Sequence, residues 1–125
     1  MTASRPLAPC GPGPCVSTQA PWTDPLRRIE PLAFAAAPEA AIRAVLAAFA
    51  RVPRLRVLER DDASVHAVVR SAWIRVPTDV DVRVDAAAGL IHLRASTPLA
   101  WRERSQVRVR ALDLLASIDR ELRRG

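Results

Sequence analysis

The sequence predicts an α+β domain: an antiparallel sheet of about five strands with two helices packed on one face, in the order strand, helix, four strands, helix. Two observations carry this. Apolar residues recur at helical spacing in two separate segments, and between them they alternate with polar residues through short runs bounded by turn signals. A length of 125 residues, half of them apolar, suits one compact core.

Residues 1–25 hold six of the eleven prolines and two of the four glycines, among them Cys10-Gly11-Pro12-Gly13-Pro14-Cys15, so neither helix nor strand is expected to propagate there. This segment reads as an arm, and a single domain is expected over 26–125. Leu26 to Leu32 alternates loosely and predicts a short strand, with Pro31 placing it near an end or an edge. Pro38 suits a first helical turn, and Ile42, Val45, Leu46 and Phe49 form one stripe of a helix that Pro53 stops.

Leu55 and Val57 alternate with Arg54, Arg56 and Leu58 up to the turn-like Asp61-Asp62; Val65, Ala67 and Val69 then oppose His66, Val68 and Arg70. The cleanest alternation is Asp79-Val80-Asp81-Val82-Arg83-Val84-Asp85, with valines on one face and charges on the other. Ala86 to Gly89 makes the turn into a return strand that sets Ile91, Leu93 and Ala95 on one face. A last helix carries Val107, Ala111, Leu114, Leu115, Ile118 and Leu122 as a continuous apolar stripe.

Composition narrows the function classes. With 26% charged residues and no apolar run of the roughly 20 residues a membrane-crossing helix needs, the chain is neither disordered throughout nor built to span a bilayer by a helix. The opening Met1 to Pro6 lacks the apolar middle of a secretory signal, so a cytoplasmic location is expected. The net charge of +6 invites an anionic partner, but all 19 basic residues are Arg, dispersed from Arg5 to Arg124 with acids between many of them. No reader motif or interleaved aromatic platform accompanies them, which argues against nucleic-acid binding.

Several segments resemble the bacterial and plastid domain-of-unknown-function family 1499. Pro14-Cys15-Val16-Ser17-Thr18-Gln19-Ala20 is similar to the family's cysteine element, and Asp24 with Arg27-Arg28-Ile29-Glu30-Pro31-Leu32 to its Asp and His-Arg-Ile-Glu-Pro-Leu stretch, Arg27 standing where the family tends to have His. His66-Ala67, Arg70-Ser71 and Asp79-Val80-Asp81 resemble its middle positions, with Thr78 in place of an acid. Of the segment that opens the family's last helix, Ser105-Gln106-Val107-Arg108 keeps only the Arg, and the Cys10–Cys15 loop is one residue shorter than the family's. The resemblance covers about residues 9–122 and implies an architecture without a reaction.

If the valines face the helices, the pleat sends His66, Arg70, Asp81, Arg83, His92 and Arg94 to the other face. Guanidinium forks suit carboxylate or phosphate, and a flanking imidazole adds a titratable donor. The expected function is therefore a non-catalytic module binding a small anionic molecule or an acidic protein segment, against the plainer reading of a solvated sheet face whose charges pair across strands. The alternative is a small enzyme using His66, Arg70 and Asp81. Ser17, His66 and Asp81 can be written as a triad, as in any chain of this length, and no catalytic site, metal site or cofactor is expected from motifs.

Cys10 and Cys15 are candidate redox or structural thiols; a local disulfide, half a metal site with His66 or His92, and an inert loop are all open, and a reducing cytoplasm would keep them as thiols. Trp22, Trp73 and Trp101 are expected to be core, with Trp22 pinning the arm.

Overall fold

The computed structural model describes residues 5–11, 13–70, 77–97 and 104–124. The fold is α+β, with two helices and, among the described residues, a six-stranded antiparallel sheet. Its elements are β1 (Cys15–Ser17), β2 (Leu32–Ala33), α1 (Pro38–Ala50), β3 (Leu55–Arg60), β4 (Ser64–Arg70), β5 (Pro77–Asp85), β6 (Leu90–Ser96) and α2 (Arg104–Arg124).

The centre of the sheet is the meander β3-β4-β5-β6. Registers Ala67↔Val80, Val82↔Leu93 and Val84↔Ile91 align the apolar teeth of successive strands on one face, where every one of those side chains is buried. Alternation works here because a strand's side chains have a period of two, so one register buries all the valines together. The β5–β6 hairpin closes on Asp85: its carboxylate accepts from Ala88 N and its carbonyl from Gly89 N, while Gly89 takes the left-handed φ of 67° that a side chain would strain.

Both helices cover this inner face, α1 against β3, β4 and β5 and α2 against β6 and β1. Pro38 sits in the first turn of α1 with Glu39 beside it, where a missing N–H costs nothing and a negative charge suits the dipole. Its buried side is Ala41, Ile42, Ala44, Val45, Ala48 and Phe49, the alanines allowing close approach. In α2, Val107, Ala111, Leu114, Leu115 and Ile118 are buried, and Leu122 packs beside them.

The structure departs from the sequence expectation in the arm. Cys15–Ser17, expected to be irregular, is a strand: Val16 is fully buried among the core side chains, and Cys15 and Ser17 pair with Ser96 and Arg94. Prolines and glycines flank these residues without interrupting them. Conversely, the strand expected over 26–32 shrinks to Leu32–Ala33 plus one parallel bridge, Arg28 to Ser17. Pro21 and Asp24 nucleate turns there, with Asp24 N bonded to the Pro21 carbonyl and Arg27 N and Arg28 N to the Asp24 carbonyl. In β3 the register slips between Val57 and Glu59, and Leu58, set with Arg54 and Arg56 in the alternation, is exposed.

Candidate functional site

β1 and β2 lie end to end along the free edge of β6, and the excursion between them builds the most elaborate polar structure among the described residues. Thr18 is its pivot. As the chain leaves β1, Thr18 N still donates to the Leu93 carbonyl, while its hydroxyl oxygen accepts from Leu93 N at 3.0 Å and lies 2.8 Å from His92 Nδ1. Leu93 N can only donate, so the Thr18 hydroxyl keeps its proton and a second lone pair for His92 Nδ1, and it can serve either tautomer of the ring. Burial lowers the pKa of His92 below its usual 6.5; Arg28 adds to the effect and Asp85 opposes it.

Two arginines hold the excursion by its backbone. Arg28 Nη1 donates to the carbonyls of Thr18 and Ala20, and Arg108 Nη2 on α2 reaches those of Pro25, Leu26 and Arg28 at 2.9–3.2 Å. These are the residues that the sequence resemblance retains at both ends of the chain, and here their work is structural. Trp22, expected in the core, is instead 74% exposed, with the Arg28 guanidinium 3.6 Å from its ring centroid. Trp73 and Trp101 lie outside the described residues.

Cys10 and Cys15 are joined in a disulfide, their Cα atoms 5.7 Å apart, and so are not the free thiols expected for a reducing compartment. The bond ties residues 5–11 to β1 as a strap, which Leu7 N reinforces by donating to Gln19 Oε1 at 2.7 Å. Between strap and excursion lies a cleft of about 630 Å³, walled by Leu7, Pro9 and Pro21 and reached by Gln19, Asp24 and Arg27.

The sequence-predicted residues fall on the outer face of the sheet. Registers His66↔Asp81↔Arg94↔Ser17 form one transverse row, and Ser64↔Arg83↔His92 the next. Arg70 stands four residues along β4 from His66, about 13 Å away at strand spacing, so the six share a face without converging on a point. None of them lines the cleft. His92, expected on the open face, is only 9% exposed because the Thr18 turn covers it.

The face is also less basic than those six residues imply. Asp79 and Asp85 share the parity of Asp81 and Arg83, so the sequence already places two further acids on it. His66 Nε2 lies 3.5 Å from Asp79 rather than pairing with Asp81, and Asp81 lies 3.8 Å from Arg83 Nη1. Ser17 is three strand spacings from His66, about 14 Å, and its hydroxyl accepts from Gln19 N, so Ser17, His66 and Asp81 make no triad.

Arg94 differs from its neighbours. It sits in the middle row, half-buried between Asp81 and Ser17, and donates from Nη1 to Ser96 Oγ at 3.2 Å. No carboxylate among the described residues lies within ion-pair distance of it, and its Nε is buried with no hydrogen-bond partner. Arg83 Nε is in the same position, its Nη1 contacting the Val82 carbonyl and, more distantly, Asp81.

No three His, Cys, Asp or Glu side chains among the described residues gather as a metal ion would require, and none of their helices is long and apolar enough to cross a membrane. Fold and face together define a small helix-on-sheet domain with a charged outer surface whose edge is closed by a polar, disulfide-tied arm. Residues 6–116 match the model of a family described as protein of unknown function (DUF1499), and the chain belongs to that family. No curated relative matches it.

Proposed function

We propose that this chain is a non-catalytic binding module that holds an anionic group, carboxylate or phosphate, on the outer face of its sheet, with Arg94 at the centre and Arg83 beside it. The observation that carries this is that no carboxylate among the described residues, Asp81 opposite it included, lies within ion-pair distance of Arg94. A half-buried guanidinium has given up part of its hydration, and a protein normally returns that through a paired carboxylate. Here, among the described residues, Ser96 supplies one neutral contact, and the proposal gives the rest of the fork to a ligand. Guanidinium is suited to this because its fixed fork matches two-oxygen acceptors.

The arm belongs to the same design. β1 completes the Arg94 row at Ser17, and Cys15, two residues earlier, pairs with Ser96, so the disulfide that ties the strap also anchors the strand beside Arg94. A local disulfide persists in oxidising compartments and is reduced in the cytoplasm, which argues for the former over the cytoplasmic location expected from the sequence.

The test is a titration followed by nuclear magnetic resonance, with citrate, inorganic phosphate and a short poly-glutamate peptide as separate probes. The Arg94 and Arg83 Nε–H signals and the ring of His66 should move with at least one probe, and in Arg94→Gln the Arg83 and His66 signals should no longer move. Unmoved signals with all three probes would overturn the proposal.

A further inference from the structure

We infer that the cleft between strap and excursion is a second ligand site, distinct from the outer sheet face, that takes a small carboxylic acid with an apolar body. Its volume of about 630 Å³ lies within the range of sites for small organic molecules, which are typically apolar with a few placed polar groups. Leu7, Pro9, Ala20 and Pro21 supply the apolar walls. Prolines and a disulfide-tied strap also make those walls stiff, so little order has to be created on binding.

The polar groups choose the ligand. Gln19 Oε1 is committed to Leu7 N, which leaves the amide NH₂ as the available end of that side chain. The Ser17 hydroxyl oxygen already accepts from Gln19 N, so its proton is the part left to offer. Arg27 uses Nη1 on Asp24 Oδ2 at 3.0 Å and keeps Nη2. Amide, hydroxyl and guanidinium therefore each offer a donor, with one remaining carboxylate oxygen on Asp24 as the charged acceptor opposing them. An acceptor-rich, anionic end is the complement of that set, and the apolar walls require a body that is not itself polar. Inorganic phosphate or citrate would leave the proline walls unsatisfied, which separates this site from the one around Arg94.

Hexanoate and benzoate, each beside its neutral amide, are the probes for the full-length oxidised chain. Titration should shift the backbone signals of Leu7, Gln19 and Arg27, with the acids binding roughly tenfold or more tightly than hexanamide and benzamide. Ala8→Phe, at an exposed strap position beside the cleft, should block binding without touching the core. Arg27→Gln should weaken the acids and leave the amides unchanged, whereas Arg94→Gln should leave both unchanged. The inference is overturned if acid and amide bind equally, if Ala8→Phe binds as wild type does, or if Arg94→Gln rather than Arg27→Gln removes the acid. That last outcome would place the carboxylate on the sheet face and leave the Arg94 proposal standing.

Discussion

The inner face of the sheet and its outer edge are built by different forces. Inside, Val80, Val82, Val84, Ile91 and Leu93 lie beneath two helices, fully or almost fully buried, and cohesion comes from apolar area and a continuous backbone ladder. Along β6, residues 5–11 and 13–29 are held, beyond the short β1 and β2 ladders, by side chains reaching main-chain atoms: Thr18 to Leu93, Gln19 to Leu7, Arg28 and Arg108 to five different carbonyls, and by one disulfide. Each such hydrogen bond contributes only about 0.5–1.5 kcal/mol net, so the edge should open more readily than the core. Binding surfaces drawn from the readily opened part of a fold, on a rigid support, are a general arrangement, and both sites proposed above lie on or beside this edge.

The largest effect expected from breaking the comparison is on the inner side. Leu93→Ala removes a fully buried core side chain from β6, the strand that packs against α2, and should cost about 2–5 kcal/mol in urea unfolding, lowering the stability of the whole domain. Thr18→Val is nearly isosteric but leaves Leu93 N and His92 Nδ1 without their partner, and should cost about 1–3 kcal/mol. Amide exchange should separate the two: Leu93→Ala accelerates exchange throughout, whereas Thr18→Val accelerates it most in residues 15–20 and 27–29.

The smallest effect is titration of His92. Its folded pKa lies below the ordinary 6.5, so between those values the unfolded chain binds the proton more readily. Stability is therefore fully present above about pH 6.5 and falls as the pH drops towards the folded value. Comparing urea midpoints at pH 7.5 and 5.5 should show this slope in the wild type and a shallower one in His92→Gln.

Much of the inner face was readable from the residues alone. The valines at 80, 82 and 84 declare both a strand and the side it buries, and the stripe from Val107 to Leu122 does the same for a helix, because both patterns repeat often enough to define a period. β1 could not be read this way: three residues, Cys15-Val16-Ser17, hold no period, and their pairing with Ser96, Ala95 and Arg94 is set by tertiary contact. The same reason hid the burial of His92, whose cap is a threonine 74 positions away in the chain. The face of the six candidate residues followed from pleat parity, but their spread along it depended on register, which parity leaves undetermined.

Calorimetric titration of citrate into the wild type, Arg94→Gln and Arg70→Gln tests the central claim most directly, since both arginines lie on the outer face and only Arg94 is assigned to the site. Wild type and Arg70→Gln should bind with the same affinity, and Arg94→Gln should lose roughly tenfold or more. Equal losses in the two variants would mean that citrate responds to the overall field of the face, contradicting a site built around Arg94.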